Sequence, residues 1–281
     1  MKRALAFALR LVAAAAATGC ASTSPDESFK AASSAVEART GHALSWNRGT
    51  PEDAQVDAAV DRLLGSEVGV EQAVAIALIN NRALTATYED LAISQADLVQ
   101  AGLLRNPSFR AGMTTAEADR LDPNLELGLA WDFLDLLLLP ARKKIAAAQV
   151  EATRLRVADA VLDVVTDVKR AYFELAAAEQ IAAMRRVVAE AAEASSELAT
   201  EQNVAGNLSD LSLATEQSSY EQFALDLARA DADVVDARER LARLLGLWGH
   251  RAGLRIAARL PEVPGDDPPL DHLESVAVAQ R

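Results

Sequence analysis

The feature that most constrains this chain is the absence of proline and glycine from 141 to 205, about 65 residues. Such a stretch favours one continuous helix, which at 1.5 Å per residue would reach roughly 100 Å. Apolar residues recur along it in steps of three and four, the spacing of a coiled-coil seam. The members of that seam are Ala158, Val161, Val165, Val168, Tyr172 and Leu175. A helix of this length exceeds the needs of a compact globular domain.

A second long helix is predicted at about 209–247, after a break at 205–210. Gly206 can adopt the left-handed conformation that ends helices, and Asn207 or Ser209 can cap the next helix. One heptad row consists of Leu213, Tyr220, Leu227, Val234 and Leu241, and a second row of Phe223, Ala230, Ala237 and Leu244. Glu216 alone interrupts the second row. The pattern predicts a long antiparallel coiled-coil helical hairpin over 136–250.

Two shorter, paired helices are predicted before it, over 69–104. Their first apolar face has helical spacing and consists of Val70, Ala73, Val74, Ala77 and Leu78. Asn80 and Asn81 are expected to break the first helix, and Gly102 to end the second near Ala101.

Two strand-like runs lie between these helices and predict a β-hairpin over 105–135. In the first, Phe109, Ala111 and Met113 alternate with Ser108, Arg110 and Gly112. In the second, one face holds Leu125, Leu127, Leu129, Trp131 and Phe133, and the other holds Glu126, Gly128, Ala130 and Asp132. Two strands alone are marginally stable in water. Contact with lipid explains the apolar face, the aromatic residues and the length of the second run. The alternative is a soluble core in which a helix covers the apolar face.

Three basic residues follow Pro140 and are expected at the start of the long helix. Arg142, Lys143 and Lys144 would there oppose the helix dipole, so something else should favour them. Anionic headgroups at a membrane edge would do so, and simple solvation is the alternative.

The N-terminus has the pattern of a bacterial export signal over 1–19, followed by Cys20. Small residues before a cysteine predict lipidation of Cys20, the only cysteine in the chain; an ordinary signal cleaved elsewhere is the alternative. Residues 20–68 are interpreted as a lipid-anchored tether, extended over 21–65 apart from a short helix near 53–64. Trp46 either packs on the body or is a loop aromatic without a role.

The C-terminal segment 251–281 is interpreted as a linker followed by the start of a second repeat. Leu270–His272 with 276–281 aligns with 70–72 and 76–81 at a constant offset of 200. The chain is therefore expected to begin a second copy of its own architecture.

Composition and motifs give no indication of an enzyme. The formal net charge of −13 disfavours nucleic acid as a partner. His42, His250 and His272 are widely separated, so no metal site and no cofactor are predicted. No apolar run after the N-terminus is long enough to predict a membrane-spanning helix.

The ordered motifs resemble the TolC-like outer-membrane efflux factors, in particular their lipoprotein branch. The matching segments are Val70–Leu84, Asp97–Phe109, Asp132–Lys143, Ala205–Leu213 and Leu241–Gly249. Arg82 and Arg105 stand where this family often has proline. The resemblance implies a mostly α fold with a small β part, in which the helical hairpin builds an α-barrel tunnel and the strands contribute to a transmembrane β-barrel.

The resemblance also implies a function, a place and partners. It implies a homotrimeric outer-membrane channel, extending into the periplasm, that receives small molecules or metal ions passively from an inner-membrane pump and a periplasmic adaptor. The hairpin tip, which would meet the adaptor or close the pore, consists of Gly206, Asn207, Leu208, Ser209, Asp210 and Leu211. Glu126 and Asp132 would line the lumen, or be solvated near the barrel rim. Two alternatives stay open: a lipid-anchored periplasmic coiled-coil scaffold, and a type I protein-secretion duct.

Overall fold

A computed structural model describes residues 26–42, 44–49, 51, 53–114, 124–257, 259–262, 265 and 272–280. The predicted signal sequence over 1–19 and Cys20 lie outside these residues. Seven α-helices are described: α1 (Asp26–Thr40), α2 (Asp53–Leu64), α3 (Val70–Asn80), α4 (Arg82–Ala101), α5 (Phe133–Val204), α6 (Asp210–Leu244) and α7 (Leu273–Gln280). Strands β1 (Ser108–Thr114) and β2 (Asn124–Ala130) form one antiparallel sheet, and Gly249–Gly253 form a short 3-10 helix. The predicted mostly α fold with a small β part is confirmed.

The chain divides into two compact units. The first contains the described residues up to Asp61, together with Val74–Val168 and Leu244–Gly246. The second contains Arg62–Ala73, Lys169–Arg243 and the described residues from Leu247 onwards.

The N-terminal segment is helical where an extended tether was predicted, so that interpretation is wrong for 26–40. Ala32 and Val36 are buried one turn apart on α1. Phe29, on the same helix, lies with its ring 5.2 Å from the rings of both Trp46 and Tyr88. The short helix near 53–64 is confirmed, and Trp46 packs on the body. An aromatic cluster with distant Tyr88 stabilises α1, and such a contact is invisible in a local pattern.

Tyr88 gives this cluster a sensitivity to alkaline pH. Its phenol is buried, and its hydroxyl has no hydrogen-bond partner among the described residues. Burial raises the pKa of Tyr88 well above its ordinary value, because the phenolate is poorly solvated there.

We therefore expect the folded chain to lose stability as the pH rises above about 10, where the unfolded phenol ionises first. Tyr88→Phe should remove part of that loss. At neutral pH the substitution should be neutral or stabilising by about 1 kcal/mol, since it deletes an unpartnered buried hydroxyl. Thermal unfolding from pH 8 to 11 measures both effects. An equal alkaline loss in the two proteins would contradict the assignment.

The turn between α3 and α4 is fixed to the C-terminal end of α6 by two asparagines. Asn81 caps α4, since its side-chain oxygen accepts from the backbone N–H groups of Ala83 and Leu84 at 2.8 and 3.1 Å. Its Nδ2 donates to the carbonyl oxygen of Leu244 at 2.8 Å. The Nδ2 of Asn80 donates to the next two carbonyl oxygens, at 2.8 and 3.0 Å. The break predicted at Asn80 and Asn81 is confirmed, and both side chains bind the end of a helix far along the chain.

Helix α6 ends three residues earlier than predicted. Gly246 has a φ of 68°, and the N–H of Leu247 donates to the carbonyl oxygen of Ala242 at 2.8 Å. That bond belongs to a helix-ending motif with glycine in the left-handed conformation. Gly246 therefore ends the helix.

The antiparallel helical hairpin and the two apolar rows of α6 are confirmed. Ion pairs join α5 to α6 in antiparallel order, with Arg186 bound to Asp231 at 3.0 Å and Glu179 to Arg238 at 2.8 Å. All members of both predicted α6 rows are buried or half-buried. Glu216, which interrupts the second row, accepts from the hydroxyl of Ser195 at 3.1 Å.

The facing side chains of the hairpin differ in size. Between 182 and 199 the buried residues of α5 are small, namely Ala182, Ala189, Ser196 and Ala199, whereas the rows of α6 carry leucine, tyrosine and phenylalanine. Small side chains on one helix let the larger ones of its neighbour interdigitate at close range.

The second unit also contains a short bridge between distant segments. Val68 pairs in parallel with Ile256, and the hydroxyl of Tyr172 donates to the Val68 carbonyl oxygen at 3.1 Å. A cavity of about 380 Å³ adjoins this bridge. Helix α7 covers part of the segment assigned to a second repeat, and that assignment stays a prediction.

No helix in the described part of the chain combines the length and apolar character needed to cross a membrane.

Candidate functional site

The antiparallel pairing of β1 with β2 gives the hairpin two chemically different faces. Phe109 lies opposite Leu129, and Ala111 lies opposite Leu127. Residues that face each other across an antiparallel pair share one side of the sheet. The other side brings together small and polar residues, with Arg110 opposite Gly128 and Gly112 opposite Glu126.

The apolar side is open to solvent in the single chain. The exposed fractions of Phe109, Leu127 and Leu129 are 69%, 63% and 74%. We call these three residues the strand face. The predicted alternative, a helix covering this face, is wrong for the described residues.

Three residues predicted on the second strand lie beyond its end. Strand β2 ends at Ala130, Trp131 and Asp132 are irregular, and Phe133 is the first residue of α5. Trp131 and Phe133 are exposed, but they do not continue the strand face. Asp132 does not belong to the polar strand face either, because its carboxylate accepts from the backbone N–H of Leu134 at 3.1 Å. Asp132 therefore caps α5.

The cap can be tested with two substitutions. Asp132→Ala should lower stability by about 1 kcal/mol, the usual cost of losing an N-cap, whereas Asp132→Asn should retain most of it. Thermal unfolding followed by circular dichroism measures the difference. Equal stability of the alanine and asparagine variants would contradict a capping role.

The long helix starts eight residues before the predicted position at Ala141, and Pro140 lies inside it. Asp135, in its first turn, is buried and binds two guanidinium groups. The Nε of Arg105 lies 3.1 Å from Asp135 Oδ2, and Nη1 of Arg142 lies 3.5 Å from Oδ1. These pairs join the chain just before β1 to the chain just after β2. The premise that Arg142, Lys143 and Lys144 start the helix is therefore wrong.

The hairpin tip has well-defined ends. Gly206 has a φ of 76°, and the N–H of Asn207 donates to the Gln202 carbonyl oxygen at 2.8 Å, which ends α5. Ser209 caps α6, since its hydroxyl accepts from the N–H of Ser212 at 3.2 Å. Asn207 is thus not the cap.

Most of the tip is available to a partner. Leu208 is half-buried, and the other five predicted tip residues are exposed. Leu211 is 79% exposed although it is apolar. The tip therefore presents one exposed apolar side chain next to polar ones.

A second apolar row, which was not among the predicted ones, runs along each hairpin helix. Met184, Ala191 and Leu198 are exposed on α5, each two residues after a buried seam residue. Leu225 and Ala232 are exposed on α6, each two residues before a seam residue. Two residues correspond to about 200° around a helix, so these rows, here called the outer seams, lie nearly opposite the inner seam. The heptad spacing of 184, 191 and 198 was the signal that could have revealed them.

Within the described residues, no group of three or more histidine, cysteine, aspartate or glutamate side chains could hold a metal ion.

Residues 73–247 match the model of the outer membrane efflux protein family. The match covers more than half of the chain and includes both strands and the complete helical hairpin. The chain belongs to the outer membrane efflux protein family.

Solved structures of outer-membrane channels share the fold. CusC, studied for transmembrane channel formation, is 18% identical with a TM-score of 0.54, over 70% of this chain and 46% of CusC. The outer-membrane channel OprN is 20% identical with a TM-score of 0.54, over 82% and 52% of the two chains. The CmeC outer membrane channel of Campylobacter jejuni is 18% identical with a TM-score of 0.52, over 80% and 50%. A search of curated proteins found no match. This chain thus spans about half the length of the channels it resembles.

Proposed function

We propose that this chain is a duct subunit of the bacterial outer membrane. Small molecules or metal ions pass through the duct passively, delivered by an inner-membrane pump and a periplasmic adaptor. Catalysis and energy coupling belong to the pump. The exposed strand face carries the proposal, because it is the feature that a soluble protein would have to cover.

The strand face fits hydrocarbon. Each large apolar side chain that leaves water contributes about 1.5–3 kcal/mol. The opposite side, with Arg110 and Glu126, fits a water-filled lumen, as the alternation in transmembrane barrels requires. Two strands cannot close a barrel, so other chains or further strands complete it. Glu126 is proposed as a lumen residue; Asp132 is not, because it caps α5.

The outer seams support a tunnel built from several hairpins. A helix with one apolar seam buries that seam against its partner in the hairpin. A helix with two opposite seams needs a neighbouring helix on each side to bury both. Repeating that contact around a closed ring gives a wall of helices, and a homotrimer is the proposed assembly. The tip residues 206–211 then meet the adaptor or close the pore.

Cys20 is proposed as the site of palmitate-containing lipid attachment after removal of the signal sequence. The anchor places the N-terminus at the outer membrane and the helices in the periplasm.

Deleting residues 106–134 distinguishes the duct from a lipid-anchored scaffold. For the duct, the full chain should purify from outer membranes as a detergent-dependent trimer with single-channel conductance, and the deletion should abolish conductance and efflux. If efflux survives the deletion, the duct proposal fails and the coiled-coil scaffold replaces it. A soluble monomer without conductance would also contradict the duct.

A further inference from the structure

Positive charge is concentrated at the base of the β-hairpin. The stretches 98–114 and 133–150 contain five basic residues and one acidic residue, whereas the whole chain has 28 Lys and Arg against 41 Asp and Glu. The basic residues are Arg105, Arg110, Arg142, Lys143 and Lys144, and the acidic residue is Asp135. The segment between these stretches, 115–132, contains five acidic residues and one basic residue. The stretches that flank this segment therefore carry a net positive charge in an otherwise acidic chain.

Asp135 fixes part of this charge in place. Its carboxylate binds Arg105 and Arg142, and its carbonyl oxygen accepts from Nη2 of Arg142 at 3.2 Å. One buried carboxylate thus holds two guanidinium groups, and the trio keeps a net positive charge. Arg105 stays largely exposed, with 72% of its side chain accessible.

Two lysines directly follow Arg142 on α5. The side chain of Lys143 lies beside Gly102, at the C-terminal end of α4. A Cβ added to Gly102 would lie 3.9 Å from the Cδ of Lys143. Lys143 and Lys144 are both exposed, and neither forms an ion pair with a described carboxylate. Their ammonium groups are therefore available to an external anion.

Exposed leucines surround these cations. Leu103 and Leu104 precede Arg105, and Leu134, Leu137 and Leu138 lie on the first turns of α5; all five are exposed. Cations next to a broad apolar surface match a phospholipid, whose phosphate and acyl chains bind the two kinds of group together. An acidic protein would satisfy the cations without requiring this leucine surface.

We propose that Arg105, Arg142, Lys143 and Lys144 form a binding site for anionic phospholipid headgroups at the periplasmic edge of the membrane. The inference rests on the proposed insertion of the strand face. It adds a lipid selectivity that insertion alone does not require. Asp135 is the positioning residue that holds the two arginines beside the lysines.

Bromolipid quenching of tryptophan fluorescence tests the site. Trp131 is exposed four residues before Asp135, so lipid bromines near the hairpin base should quench it. The full chain is reconstituted in phosphatidylcholine bilayers containing brominated phosphatidylglycerol or brominated phosphatidylcholine. The ratio of the two association constants should favour phosphatidylglycerol, and Lys143→Gln with Lys144→Gln should lower it by about fivefold for each lysine.

A matched control removes two exposed cations elsewhere in the first unit. Lys30→Gln with Arg82→Gln changes the net charge equally, and Arg82 lies at the other end of α4, about 30 Å from Gly102 by helix length. The control should leave the ratio unchanged. Equal quenching by both lipids in the unaltered chain, or an equal loss in the control, would overturn the headgroup site. Absence of quenching by either lipid would instead contradict membrane insertion.

Discussion

Gly246→Ala is expected to lower the free energy of unfolding by about 3–5 kcal/mol. The left-handed φ of 68° costs a residue with a side chain about 1–2 kcal/mol. A Cβ at this position would also lie 2.3 Å from the carbonyl oxygen of Asn80, which is too close for any contact. Relieving that overlap moves the α3–α4 turn away from α6. The movement weakens the bonds that Asn80 and Asn81 donate to 244–246, each worth about 0.5–1.5 kcal/mol.

Gly206→Ala is the matched control for this prediction. Gly206 has nearly the same conformation, with a φ of 76°, but nothing lies within 4 Å of its added Cβ. Its variant should lose only the conformational term, about 1–2 kcal/mol. Thermal unfolding followed at 222 nm compares them, since 1 kcal/mol shifts the Tm of a chain of this size by about 2–4 °C. Equal shifts would show that the asparagine contacts do not stabilise the fold.

Replacing Leu127 and Leu129 with lysine should prevent membrane integration. Each lysine at the membrane midplane costs about 2–4 kcal/mol, so the double variant loses about 4–8 kcal/mol of insertion free energy. Both leucines are exposed in the single chain, so the helical fold should survive. Flotation of outer-membrane fractions measures integration, and circular dichroism measures helix content.

The control for this pair places two lysines on the opposite side of β2. Glu126→Lys with Ala130→Lys introduces the same residues on the polar face, where water in the lumen would solvate them. Integration should persist in this variant. If both double variants integrate, or if both fail, the two faces do not have the proposed environments.

The long hairpin was predictable because its signal is periodic and local. Heptad rows on α6 and the uninterrupted α5 define which faces meet, and burial of Ala230 and Leu241 follows from the pattern. The helix ends were less predictable. The sequence places the end of α6 near Leu247, whereas the structure ends it at Leu244, where Asn80 and Asn81 bind the carbonyl oxygens of 244–246.

The junction between strand and helix was missed for a related reason. Alternation of apolar and polar residues continues to Phe133, so a period of two extends the strand past Ala130. The helix begins at Phe133 because Asp132 caps it and because Asp135 binds two arginines. Arg105 lies before the strands, and Arg142 lies further along the same helix. Helix α1 was not predicted because it has few apolar residues. Its Phe29 packs on Tyr88, a contact between distant parts of the chain that no local pattern shows.

Cysteine labelling along β2 in intact membranes tests the central claim most directly. Cys20 is the only native cysteine, so each single-cysteine variant at 126–130 adds one thiol. A water-soluble maleimide should label positions 126, 128 and 130, which face a lumen, and spare positions 127 and 129, which face lipid. Uniform labelling at all five positions would contradict a membrane-embedded strand, and with it the duct.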